Sequence, residues 1–264
     1  MLVIIKDSYA AISQAAARML ARTVRNKPHA TLGLATGSTP LGMYQELIRL
    51  HREEGLDFSR IVTFNLDEYV GLSPDHPQSY HAAMKDQFFD HVNINPRNVH
   101  IPDGTVQTDV ERHCASYEEE IRKAGGIDVQ ILGIGTAGHI GFNEASSSLN
   151  SRTRLVTLAE QTLEDNRRFF SPGEPIPQCA ITMGLGTILE AKEIILLASG
   201  TNKAQAVAAA VEGPLTASVT ASVLQLHPAV TVLVDRDGAE QLVNKAYYAR
   251  AVAMAVRCTP DKFG

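Results

Sequence analysis

The amino-acid sequence predicts an α/β fold, a mostly parallel sheet with helices on both faces. Short apolar runs alternate with amphipathic helical patterns from one end of the 264-residue chain to the other. Runs such as Thr31-Leu-Gly-Leu-Ala35 lack an apolar/polar alternation, as strands covered on both sides do. Three of the runs, near positions 35, 65 and 132, end in glycines or polar residues that no core requires, and ligands of open α/β sheets gather at the carboxyl ends of strands. The length suits one large domain over residues 1–264, with no internal repeat, low-complexity tract or long linker.

Leu2 to Ile5 reads as a strand, and Ser8 to Arg25 as a helix whose alanines (Ala10, Ala11, Ala15, Ala16, Ala17) allow close packing. The strand Thr31 to Ala35 ends in Thr36-Gly-Ser-Thr-Pro40, and helical spacing follows from Leu41 to about Arg52. Strand, Gly/Ser/Thr turn and proline at a helix start form the layout of a phosphate cradle on Gly37, Ser38 and Thr39, although a plain capped helix start has the same look. The turn is neither a Walker A loop nor a dinucleotide-binding turn. Ile61 to Asn65 is a strand ending in Leu66-Asp-Glu-Tyr69, where successive side chains of an extended chain point to opposite sides. At most one of Asp67 and Glu68 therefore needs to face a shared cleft.

Residues Gly71 to Ser79 read as a loop, Tyr80 to His91 as a helix, Asn93 to Asp103 as irregular and Thr108 to Ala124 as a helix. The run Glu118-Glu-Glu120 is placed on that helix's solvent face, and Gly125-Gly126 stops it. The chain's organising stretch comes next, Ile131-Leu-Gly-Ile-Gly-Thr-Ala-Gly-His-Ile-Gly-Phe-Asn-Glu144. A strand that stops in closely spaced glycines lets a ligand approach the backbone. The imidazole of His139 with the carboxylate of Glu144 is an acid/base arrangement suited to neutral pH.

Ala145 to Arg154, rich in hydroxyls with Arg152 and Arg154, reads either as a mobile polar loop or as an anion site. Gln161 to Phe170 is a short helix bearing Arg167 and Arg168, and Pro172 to Pro177 a rigid loop. Cys179 to Met183 and Glu193 to Ala198 are two more strands. After the second, Lys203 in the first turn of the following helix either reaches a phosphate or is an ordinary surface lysine. Ala217 to Leu226 reads as a helix, Ala229 to Val234 as the last strand, and Ala239 to about Cys258 as the closing helix.

Composition narrows the function. A net charge of −5 with no basic cluster argues against a nucleic-acid partner. No apolar run approaches the ~18 residues of a membrane span, and the first residues have neither a basic leader nor a cleavage site. A cytoplasmic protein is expected, its three separated cysteines reduced. The nine histidines have no metal-binding spacing, so neither metal nor cofactor is expected. Hydroxyl-rich strand ends, a few separated cations and an Asp/His/Glu set point to a small phosphorylated substrate undergoing proton transfer, with Asp67 as base and His139 serving a hydroxyl.

Five motifs in order, Leu32-Gly-Leu-Ala-Thr-Gly-Ser-Thr-Pro40, Thr63-Phe-Asn-Leu-Asp-Glu-Tyr-Val-Gly-Leu72, the run Gly133 to Glu144, Ser151-Arg-Thr-Arg154 and Leu224-Gln-Leu-His-Pro228, resemble the glucosamine-6-phosphate deaminase (isomerase) family over essentially the whole chain. The resemblance implies a Rossmann-like fold of the sugar-phosphate isomerase type. It implies conversion of glucosamine 6-phosphate and water to fructose 6-phosphate and ammonia in amino-sugar catabolism, with an amino-sugar phosphate as the small-molecule partner. Asp67 would move a proton between C2 and C1, His139 would open the pyranose ring, and Glu144 would orient the imidazole. Gly37, Ser38 and Thr39 would hold the phosphate with Arg168 and Lys203. The galactosamine-6-phosphate deaminase differs at one hydroxyl configuration of its substrate. A 6-phosphogluconolactonase shares the fold but lacks the run ending in Glu144, and a catalytically silent sugar-phosphate sensor is a third alternative.

Two positions depart from the family's pattern. Ala137 stands where an acidic or amide residue usually precedes Gly138-His139, which predicts reduced activity. In relatives that assemble as homo-oligomers, hexamers among them, an allosteric phosphate site uses the equivalents of Ser147, Ser148 and Arg154 with a lysine. Here that lysine position is Val156, which predicts a weakened allosteric site.

Overall fold

The computed structural model of the protein describes residues 1–106, 108–167, 170–171 and 173–258. The chain runs through β1 (Leu2–Lys6), α1 (Tyr9–Asn26), β2 (Thr31–Leu34), α2 (Leu41–Glu54), β3 (Val62–Asn65), β4 (Asp67–Tyr69), α3 (Tyr80–Gln87), β5 (Val99–His100) and α4 (Val110–Lys123). It continues with β6 (Val129–Gly133), β7 (Arg154–Thr157), α5 (Glu160–Arg167), β8 (Cys179–Thr182), α6 (Leu185–Leu189), β9 (Glu193–Ala198), α7 (Ala204–Val211), β10 (Val230–Asp235) and α8 (Lys245–Cys258).

Seven strands form one sheet in the order β1-β10-β9-β6-β2-β3-β5, every neighbouring pair parallel, with helices around it. β2 and β10 are buried along their whole length, which is why their sequences carry no alternation. Helix α1 opens at Ser8, whose hydroxyl accepts from Ala11 N at 3.3 Å. Of its alanine face, Ala16 and Ala17 are fully buried beside Ile12 and Leu20, while Ala10 is exposed. The order reverses around β2: the chain passes from β2 outward to β3, and β6 returns on the other side. Such a switch leaves a crevice between the two carboxyl ends.

Several elements differ from the expectation. Cys179–Thr182 is a strand, but it belongs to a second, antiparallel three-stranded sheet, β4-β8-β7. β4 lies where the sequence suggested a strand end, and β7 begins at Arg154, the last residue of the stretch read as a polar loop, and runs on through residues given no element. Each is three or four residues long, and their pairing partners are far away in sequence, so no local pattern marks them. β5 likewise lies within the stretch read as irregular. The helix expected from Ala217 is a run of 3₁₀ turns, Thr220–Leu226, and α8 begins at Lys245 rather than Ala239.

Glu118 is also not on a solvent face. It is buried, and its Oε1 accepts from Thr153 N at 2.8 Å, Thr153 Oγ1 at 2.5 Å and Thr187 Oγ1 at 2.6 Å, while Arg152 pairs with its other oxygen. Burial raises its pKa, but these donors and the guanidinium outweigh that, and the carboxyl is held below its ordinary range. Arg152 also pairs with Glu190, so it braces α4 against α6. Among the described residues no helix is long and apolar enough to cross a membrane. Nor, among them, is there a group of three or more His, Cys, Asp and Glu side chains placed to hold a metal ion.

Candidate active site

At the carboxyl ends of β2, β3 and β6 lies a cleft of about 220 Å³. Its walls bring together Gly37, Ser38, Thr39, Asp67, His139 and Lys203, which come from four separate stretches of chain. Glu144 lies behind His139, outside the cleft wall. Arg168 lies outside the described residues.

One end of the cleft is the turn after β2. Gly37 has φ +91°, a left-handed conformation that a side chain resists. Tyr9 of α1 braces the turn, its hydroxyl donating to Ser38 O at 3.1 Å and accepting from Gly42 N at 2.8 Å. Pro40 occupies the N-cap of α2 and makes no side-chain cap there, so the positive end of the helix starts at the cleft wall. Lys203 reaches the same cleft from the 3₁₀ turn Thr201–Lys203 that follows β9.

Asp67 and Glu68 point opposite ways, as the extended geometry requires. The Glu68 carboxylate accepts from Tyr80 N at 2.9 Å and His81 N at 3.0 Å, and its Oε2 lies 2.9 Å from His81 Nδ1, so it anchors the start of α3. Asp67 faces the cleft and is only 6% exposed. Burial, reinforced by the neighbouring Glu68 carboxylate, pushes its carboxyl up to about 8. Its strand pairs with Thr182 of β8, whose hydroxyl accepts from Phe142 N at 3.1 Å. The small second sheet thus ties Asp67 to the loop that carries His139.

That loop closes on itself through Gly135 N to His139 O at 2.8 Å and Gly138 N to Gly135 O at 2.9 Å. The imidazole lies flat against Gly135: a Cβ there would stand 2.3 Å from both Cε1 and Nε2 of His139. His139 Nδ1 is 3.2 Å from Glu144 Oε2, outside good hydrogen-bond alignment, so the contact is electrostatic rather than a well-formed hydrogen bond. The other Glu144 oxygen accepts from Thr162 Oγ1 of α5 at 2.5 Å. Burial raises the Glu144 pKa, but the His139 imidazole and the Thr162 hydroxyl outweigh that and hold it below its ordinary range. Two carboxyls pushed in opposite directions beside one imidazole can divide acid and base work at a single pH.

Buried Asn143 holds the far end of the loop. Its Nδ2 donates to Met183 O at 2.9 Å and Ile140 O at 3.0 Å, and its Oδ1 accepts from Arg154 Nη1 at 2.9 Å. Arg154 also donates to Ser147 Oγ at 3.0 Å, so its guanidinium is engaged inward, while Ser148 Oγ accepts from Asn150 N at 3.3 Å. Sequence reasoning missed Thr162, Asn166 and Tyr80, which also line the cleft. The stretch holding Thr162 and Asn166 is polar apart from Leu163, and nothing local distinguishes the polar residues that turn inward.

Residues 6–237 match the family model described as glucosamine-6-phosphate isomerases/6-phosphogluconolactonase. A glucosamine-6-phosphate deaminase of Thermoanaerobacter pseudethanolicus is 55% identical over 239 residues, 90% of this chain and 94% of the relative. One of Halothermothrix orenii is 53% identical over 242 residues, 92% of this chain and all of the relative. A solved structure described as a monomeric glucosamine-6-phosphate deaminase superposes with a TM-score of 0.89 at 50% identity, covering 91% of this chain and 99% of that one. The 6-phosphogluconolactonase of Trypanosoma brucei, at 20% identity and a TM-score of 0.71 over 92% of this chain and 98% of that one, shares the fold.

Proposed function

The chain belongs to the glucosamine-6-phosphate isomerase/6-phosphogluconolactonase family, and we propose that it acts there as a deaminase, converting glucosamine 6-phosphate and water to fructose 6-phosphate and ammonia. The observation that carries this reading is the buried Asp67 carboxyl, raised to about 8, in one cleft with a His139 backed by Glu144. A carboxyl in one cleft with an imidazole suits moving a proton between two sugar carbons, the step that sets this reaction apart from opening a lactone. The substrate's phosphate sits on Gly37, Ser38 and Thr39 with Lys203 and Arg168, where the turn's backbone and the start of α2 favour an anion. His139 takes the proton from the anomeric hydroxyl as the C1–O5 bond breaks, and returns one to O5. Asp67, ionised, takes the C2 proton while the C1 oxygen gains a proton given up by the substrate's ammonium group, which forms an enol; Asp67 then delivers its proton to C1, leaving C2 doubly bonded to nitrogen. Water adds at C2, the C2–N bond breaks, and ammonia leaves with a carbonyl in its place.

Release of ammonia and fructose 6-phosphate from glucosamine 6-phosphate tests this directly. Because Glu144 already backs His139 and Ala137 lies outside the cleft wall, the protein as it stands should turn over. Ala137→Asp should raise kcat by less than about tenfold. No ammonia from either form, with hydrolysis of a sugar lactone instead, would overturn the reading.

We propose further that the chain works as a monomer. The solved deaminase at 50% identity is described as monomeric. The Arg154 guanidinium, which the allosteric site of oligomeric relatives would use, is engaged with Asn143 and Ser147. Sedimentation velocity should give the mass of one chain, and a stable hexamer would contradict this.

A further inference from the structure

Behind His139 lies a second cavity, a groove of about 230 Å³ that opens to solvent beside the exposed Ala137 and Ser218. It shares Thr136, His139 and Thr162 with the cleft, so one imidazole and two hydroxyl side chains face both spaces. Among the described residues its lining contains Glu144, the hydroxyls of Thr136, Thr162, Ser218 and Thr220, and Gln161, and neither lysine nor arginine. The Glu144 carboxyl is held below its ordinary range, so the groove carries negative charge at neutral pH. The cleft's opposite end carries Lys203 and the start of α2. The two spaces therefore differ in sign, and a fixed field of this kind sorts ions by charge.

We propose that this groove is the route and holding site of the ammonium product, separate from the mouth through which the sugar phosphate passes. The inference rests on the deaminase reading. On that reading the reacting carbons, and the C2 nitrogen with them, face Asp67 and His139, and His139 is one of the residues that the groove shares. Hydroxyl and carboxylate oxygens are the acceptors that a four-donor cation needs. The groove is wide enough for an ion close to water in size, since one water takes about 30 Å³ of liquid volume.

The reaction run backward isolates this step, because ammonium is then a substrate with its own KM beside that of fructose 6-phosphate. Charge at the rim should move one constant and spare the other. Ala137→Asp and Ser218→Asp should lower the ammonium KM about threefold or more at low ionic strength, and Ala137→Lys and Ser218→Lys should raise it by a similar factor. The KM for fructose 6-phosphate should stay within about twofold, and the difference should shrink at 1 M salt, where the screening length is about 3 Å. A general loosening of the site would move both constants in the same direction for every variant. An ammonium KM indifferent to the sign of charge at both positions, or matched by an equal change for fructose 6-phosphate, overturns the groove assignment while leaving the deaminase reading intact. No amination by the unsubstituted protein would overturn both.

Discussion

Asp67→Asn is expected to lower kcat on the order of 10³-fold, the loss of a positioned general base, with little change in affinity for the sugar phosphate, because the proposed phosphate cradle is built from other residues. In the parent, a carboxyl raised to about 8 is largely protonated in the empty site at neutral pH. The kcat/KM should therefore climb as pH rises toward about 8 and level off above it. Undiminished turnover by the asparagine form would remove Asp67 from the mechanism. The same substitution has a stability signature. The folded pKa lies above the ordinary value of 3.8, so the folded state holds the proton more tightly. The stability linked to that proton is complete below about 4 and is lost as pH rises through about 8. Asparagine has no proton to lose, so the variant's Tm should gain on the parent's between pH 5 and pH 9. Thermal unfolding at both values checks this, and a Tm difference that is the same at pH 5 and pH 9 would mean that burial does not govern this carboxyl.

Gly135→Ala should be nearly as damaging by a different cause. Its Cβ would meet the imidazole of His139 at 2.3 Å, and a side-chain ring turns aside more readily than the backbone behind it. Displacing a catalytic group by about 1 Å can cost on the order of 10²-fold in rate. The loss should fall on kcat, with the melting temperature nearly unchanged because the residue lies in a loop at the edge of the cleft and has no positive φ. Parent-like kcat would show that the ring does not need to lie against the backbone.

Much of the site was legible because the chemistry sits where strands end. The Gly/Ser/Thr turn after β2, the carboxylates after β3 and the glycine run after β6 each interrupt an apolar pattern with residues the core has no use for. These three strands are neighbours in the sheet, so the separate signals converge on one crevice. Even the opposition of Asp67 and Glu68 follows from the two-residue period of an extended chain. What was not legible depends on distant partners. Glu118 sits in a run of three glutamates and reads as solvated, yet three hydroxyl and amide donors from residues 153 and 187 draw it inside. Thr162 looks like any polar helix residue until Glu144, 18 positions earlier, is placed beside it.

The sequence by itself therefore determined the parallel sheet, the Gly/Ser/Thr turn after β2 and the candidate acid/base residues, because each is written in a local period or a local break of one. Only the tertiary structure decided that a small antiparallel sheet ties Asp67 to the His139 loop, that Arg152 and Arg154 are engaged in bracing rather than offered to an anion, and that His139 borders both the cleft and the groove behind it. Those outcomes depend on which hydrogen-bond donors and charges meet across long sequence separations. A buried polar group must find such a partner or leave the core, and no local pattern records which partner it finds.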